Sequence, residues 1–244
     1  MGSAMDNYKP WLKHLEVKTP ILPQHLNRMS YIICIVGKSR SGKDTLANYL
    51  EGRKLKFADP AKRMLESWYG LLPGDMEKPE VRDRLVPSST TTTYLDILIK
   101  SYHFWLSVDP LAPKYPTIRE IEKTLAEGTP VILTDVRMTQ EVQYVVDLPY
   151  PLYAIRVNRP GCPDVSSDES LEDNWESLSI AANAYFEFDN TGSIADLVDC
   201  AMELQADINN DLYYLELADT SKSYLEYQQA VSQWQPFRLK TPQI

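Results

Sequence analysis

From Tyr31 to Val36 the chain runs Y-I-I-C-I-V, six apolar or aromatic residues without a break, and the run closes on Gly37. A segment with no polar position facing water fits a strand buried on both faces, which requires a parallel sheet covered by helices. Gly37 also opens G-x-x-x-x-G-K, with Gly42 and Lys43 at the spacing of a phosphate-binding loop. Beyond Lys43, the residues Leu46, Ala47 and Leu50 recur on one stripe and predict a helix. Backbone N–H groups of such a loop can wrap an anion, and the helix start adds unpaired donors and its dipole. An ordinary strand–turn–helix is the plainer reading. It is disfavoured because both glycines, the lysine and the flanking periods agree.

Within the loop, Lys43 is expected to reach the β- and γ-phosphates of a bound nucleotide, and Lys38 and Arg40 add positive charge. The position after Lys43 commonly carries a Ser or Thr that touches magnesium; here it is Asp44, followed by Thr45. A second apolar run, Pro130 to Leu133, leads through Thr134 to Asp135, the pattern of a Walker B strand. In a parallel sheet its C-terminal end can lie beside the loop, so Asp135 is expected to hold magnesium through water. Asp44, Thr45 and Asp135 are therefore the candidate metal set.

The 244 residues suffice for one large domain with appendages, and 43% hydrophobic with 24% charged is ordinary for a globular protein. A net charge of −9 weighs against a polymeric nucleic acid as the main partner. Between Arg159 and Lys222 the chain has fifteen Asp and Glu and no Lys or Arg, so cations for a polyanion must come from elsewhere. Cys34, Cys162 and Cys200 are odd in number and far apart, which points to a reducing compartment. Cys34 is expected in the core. With no signal peptide and no apolar run of membrane length, the expectation is a cytoplasmic protein without a membrane partner. A homodimer is compatible with the sequence.

Taken in order, residues 1–29 are expected to form an arm or a cloning-derived extension, with Pro10, Pro20 and Pro23 against a long helix. Lys54 to Ala58 predicts a short strand, and Asp59-Pro60 the cap and first position of a helix to Tyr69. Ser88 to Thr93 predicts a mobile loop. Thr93 to Leu106 predicts a helix with Leu95, Leu98, Ile99 and Tyr102 on one face. Thr117 to Glu120 fits a capping box, and Gly128 a stop. His103 is expected to pack or lie at the surface. A helix from Thr139 to Val146, a strand over 151–157, an acidic flap from Asp164 to Glu176 and a strand over 185–188 follow. Ser193 is expected to cap a helix, and residue 207 to begin a helical tail. The expected organisation is an α/β P-loop NTPase fold over 30–206, with a helical insertion, an arm and a tail over 207–244.

The combination G-K-S-R-S-G-K-D-T, F-A-D-P-x-K, L-T-D-V-R, R-x-N-R-P-G and N-T-G-S resembles the phage-type deoxynucleoside monophosphate kinases, over about Ser30 to Glu203. The G-K-D-T loop is the most specific of these elements. The resemblance implies an adenylate-kinase-like core and transfer of the γ-phosphoryl of ATP to a deoxynucleoside monophosphate with Mg2+. For a phage-encoded chain that places the protein in the host cytoplasm. By position, Gly37, Lys38, Ser39, Arg40, Ser41, Gly42, Lys43, Asp44 and Thr45 would hold the donor phosphates. Asp59, Lys62 and Arg63 would lie near the acceptor, Asp135 and Arg137 at the end of the Walker B strand, and Arg159 on the donor side or the flap. Lys43, Arg40, Arg137 and Arg159 are the candidate cations for transfer. Arg63, Arg82 and Arg84 read more readily as surface charges, and Asp59 is shared between capping and acceptor binding. The chain departs from the family at the flap: Glu169-Ser170-Leu171-Glu172 keeps only the last residue of H-x-S-E, and no lid arginine follows Arg159. A P-loop kinase with another acceptor (phosphomevalonate-like, or a hydroxymethylated base in DNA) and a non-catalytic nucleotide-binding module are the competing readings.

Overall fold

The strand predicted from the opening run becomes β1 (Ile32–Val36), the middle of a five-stranded parallel sheet in the order β2-β3-β1-β4-β5. Its companions are β2 (Arg53–Leu55), β3 (Val131–Leu133), β4 (Leu152–Asn158) and β5 (Ala184–Asp189). The computed structural model describes residues 30–109, 111–162 and 171–220. The expected N-terminal arm, most of the acidic flap and the chain beyond 220 lie outside these residues. Every residue of β1 is buried, because β3 and β4 pair with it on either side and helices cover both faces.

The two faces carry separate apolar layers. Ile33 and Ile35 pack with Leu46 of α1 (Lys43–Ala47) and with Leu197, Leu204 and Ile208 of α8 (Ile194–Thr220). Ile32, Cys34 and Val36 pack on the other face. Their partners come from α5 (Tyr115–Ala126), α6 (Thr139–Val146) and α7 (Leu171–Ala181). A third cluster joins Ala61 and Leu65 of α2 (Asp59–Tyr69) to Met76, Val86 and the Tyr94–Leu98 face of α4 (Tyr94–Val108). With the single turn of α3 (Pro79–Arg82), this cluster is the helical insertion. The chain places β2 and β3 on one side of β1 and then crosses to build β4 and β5 on the other, and the crevice at the carboxyl ends of the strands opens beside the loop after β1. No helix among the described residues is long and apolar enough to cross a membrane.

Several local expectations change. The strand expected over Lys54–Ala58 ends at Leu55, because the amides of Phe57 and Ala58 go to the Asp135 carboxylate instead of a ladder. Asp59 is not the cap of α2. Ala58 holds that position, already helical, and the Asp135 contacts satisfy the backbone ahead of the helix. Helix α5 starts at Tyr115, with Pro116 in its first turn, and the Thr117 hydroxyl donates to the Lys56 carbonyl in place of capping. The 88–93 run is a tight turn: Ser89 Oγ accepts the amides of Thr91 and Thr92, and Thr93 then caps α4 reciprocally with Asp96. On α4, Ile99 points out and Tyr94 takes its place in the apolar contact. Residues 171–176 of the expected solvated flap belong to α7, whose Trp175 and Leu178 are buried in the sheet core. Helix α8 runs unbroken through residue 207, where a separate tail was expected.

Candidate active site

The loop from Gly37 to Lys43 is held by its own backbone geometry. Gly37 and Gly42 have φ of 149° and 105°, and Arg40, at 65°, is the sole non-glycine with positive φ among the described residues. A side chain at Gly37 would run into the Val157 carbonyl of β4, and one at Gly42 into the Asn190 amide. That amide donates to the Ser41 carbonyl at 2.7 Å, so the turn after β5 braces the loop. Lys43, the first residue of α1, is buried and folds back to donate to the carbonyls of Gly37 and Lys38, each at 2.7 Å. Burial, with the positive charge of Arg137 as the next cause, lowers its ammonium to a pKa of about 8. The Ser41 hydroxyl is buried and has no partner among the described residues. Lys38 and Arg40 are exposed, and Ser39 and Thr45 are half-buried.

Asp44 is engaged on one oxygen. Its Oδ1 accepts from the Thr134 hydroxyl at 2.9 Å and pairs with Lys56 Nζ at 3.1 Å. Burial alone would raise this carboxyl, but the Lys56 ammonium and the Thr134 hydroxyl hold it below the ordinary range. Lys56 also reaches Glu77 at 3.5 Å, and Glu77 pairs with Lys62 at 2.6 Å, which lies 3.7 Å from Asp59. The predicted acceptor residues Asp59 and Lys62 thus stand in a chain of alternating charge that begins at Asp44 on α1. Arg63 is exposed on α2.

Asp135 follows β3 and accepts from the amides of Phe57 and Ala58, both at 2.9 Å, one on each oxygen. Burial raises its pKa to about 6, with the charge of Glu141 adding to the rise and the two amides opposing it. Its first commitment is to the β2–α2 junction, and each oxygen keeps one further lone pair for a ligand. Arg137 is exposed, but its backbone is fixed. Its amide donates to Glu141 Oε2 at 2.8 Å, and its carbonyl accepts from the Asn174 side chain.

Arg159 lies in a groove of about 320 Å³ at the carboxyl ends of β4 and β5, together with Lys38, Arg156, Asn158 and Cys162. Arg156 rests over the Trp175 ring, 5.8 Å from its centroid. His103 is at the surface, as expected, and Cys34 is fully buried, which pushes its thiol up.

The structure therefore gathers the loop residues, Asp44 and, through its charge on Lys43, Arg137. It puts Asp59 and Lys62 at the far end of the polar chain and Arg159 in the neighbouring groove. Sequence reasoning missed Lys56, Glu77, Thr134, Glu141, Asn174 and Asn190. Thr134 and Asn190 sit inside the T-D-V-R and N-T-G-S stretches, where a signal existed. Glu141 accepts from the nearby amides of Arg137 and Met138, a local helix-start pattern, whereas nothing local marks Lys56, Glu77 or Asn174, whose partners lie further along the chain.

Fold and loop together define an α/β protein with a parallel five-stranded sheet and a glycine loop between its central strand and a helix. No family model matches the chain, and no curated protein does. Among solved structures it is similar to an unliganded sugar kinase from Janibacter sp. HTCC2649, with 13% identity over 75% of this chain and 98% of that one, TM-score 0.35. It is also similar to TT1252 from Thermus thermophilus, with 21% identity over 74% of this chain and 98% of that one, TM-score 0.40. Both likenesses are distant, and the reading of the site stands on its own geometry.

Proposed function

We propose that the protein transfers the γ-phosphoryl group of ATP to a deoxynucleoside monophosphate, giving the diphosphate. The observation that carries this reading is the loop itself: two positive-φ glycines wedged against β4 and Asn190, and a buried lysine folded along the carbonyls of Gly37 and Lys38. A phosphate chain entering the loop would draw the Lys43 ammonium from those carbonyls onto its oxygens. The groove holding Arg156 and Arg159 would take the nucleoside end of ATP.

Phosphoryl transfer needs little covalent assistance, so alignment and neutralisation of the equatorial oxygens supply most of the rate. The positive charge of Arg137 bears on Lys43, which suits two cations serving the group in flight. Arg40, exposed on the loop, would add charge from the solvent side. Mg2+ would be held by the second oxygen of Asp44, the Thr45 hydroxyl and, through water, Asp135. This donor set fits, because Mg2+ binds through one or two carboxylates and substrate phosphates and keeps several waters. The ion would neutralise charge on the β- and γ-phosphates. Asp59, Lys62 and Arg63 would face the acceptor.

The test is ADP release from ATP·Mg with a panel of deoxynucleoside monophosphates, alongside phosphomevalonate and hydroxymethylated DNA. One or more monophosphates should be turned over, and a Lys43→Ala variant should lose on the order of a hundredfold or more in kcat. Turnover restricted to another acceptor would replace the substrate assignment. Equal behaviour of wild type and Lys43→Ala would leave a nucleotide-binding module.

A further inference from the structure

We infer that Glu141 and Asn174 are positioning residues that clamp the peptide of Arg137 from both sides; the inference rests on the proposed phosphoryl transfer. Glu141 Oε2 accepts the amides of Arg137 and Met138, at 2.8 and 3.1 Å. Its Oε1 accepts from the Tyr102 hydroxyl and pairs with Lys114 Nζ, both at 3.3 Å. Asn174, buried on α7, donates to the Arg137 carbonyl. The side chains of Lys114 and Glu141 are 0% and 3% exposed, so this ion pair is dry. A buried pair seldom stabilises more than apolar residues of similar volume, which leaves its presence unexplained by stability alone. The clamp supplies a reason. Arg137 is an exposed residue on a short loop between β3 and α6, and without a fixed peptide its long side chain would sweep a wide arc. Lys114 from the turn ahead of α5 and Tyr102 from α4 orient the carboxylate, much as outer-shell partners orient a metal ligand.

Two full-length double variants separate clamp from charge. Lys114→Met with Glu141→Leu removes the ion pair and the acceptor together. Lys114→Met with Glu141→Gln removes the charge and keeps a carbonyl oxygen for the two amides. The leucine variant should fold, lose on the order of a hundredfold in kcat and keep its KM for ATP within about threefold, since misplacement of a reacting group by an ångström costs about that much. The glutamine variant should recover at least about tenfold of the loss. Amide exchange at Arg137 and Met138 should accelerate in the leucine variant alone. Asn174→Ala, which leaves the ion pair intact, should also lower kcat with KM for ATP unchanged. Wild-type kcat in the leucine variant or in Asn174→Ala, or no rescue by glutamine, would overturn the clamp. A wild-type protein inactive on every acceptor would overturn the proposed function instead, and the exchange data would still decide whether the clamp exists.

Discussion

At the scale of single residues, the glycines and the lysine of the loop make the sharpest demands. Gly37→Ala would place a methyl group against the Val157 carbonyl oxygen, at a φ of 149° that other residues rarely adopt. Strain of this kind costs about 1–3 kcal/mol. The variant should melt several degrees lower and lose ATP binding; an unchanged melting temperature would mean that the loop relaxes freely. Lys43 gives a pH dependence. Its pKa is lowered to about 8, so the ammonium is mostly present at pH 7 and mostly absent at pH 9. If only the charged form grips phosphate, ATP affinity measured by calorimetry should weaken about tenfold across that interval. A flat profile would separate Lys43 from phosphate binding. The same lowering means that the cost of holding the dry ammonium is borne below pH 8 and lost as pH rises toward 10.5.

At the scale of elements, Asp135 ties β3 to the start of α2. Its folded pKa of about 6 lies above the ordinary 3.8, so the folded state retains the proton longer than the unfolded chain. The stabilisation from that retained proton is full below about pH 3.8 and is lost as pH rises through 6. Asp135→Asn cannot titrate, so the stability of wild type relative to the variant should decline between pH 4 and 6.5 in urea titrations. A constant difference would refute the assignment. This tie also shows where sequence reading stopped. The buried strands β1 and β3 announced themselves because an uninterrupted apolar run has few places to go but the middle of a parallel sheet, and β4 by its apolar start from Leu152 to Ile155. The glycine loop was visible because Gly37, Gly42 and Lys43 fall on one short stretch of chain at a recognisable spacing. The start of α2 was misread because its backbone is satisfied by a carboxylate 77 residues away, and nothing at Asp59-Pro60 records that. Trp175 was lost in an acidic stretch whose charges mask one buried face. The Glu141 contacts have the same origin: Lys114 and Tyr102 meet that carboxylate only after three helices have packed.

At the scale of the whole molecule, α8 holds the sheet from behind. Ile208 is fully buried in the layer under β1, and the Tyr153 hydroxyl of β4 donates to Asp211 at 2.7 Å. The residues just past 206 are therefore part of the core. Ile208→Ala should cost about 2–5 kcal/mol in chemical denaturation, as other large-to-small core changes do. A loss under 0.5 kcal/mol would show that this end of α8 is dispensable.

The third apolar cluster, between α2 and α4, shares no residue with the two layers on the sheet. Polar links also join it to the rest: Asp135 to the Phe57 and Ala58 amides, Asp44 to Lys56, and Tyr102 to Glu141. The insertion therefore keeps an apolar interior of its own beside the sheet, and amide protons along α2 and α4 should exchange before those of the fully buried β1.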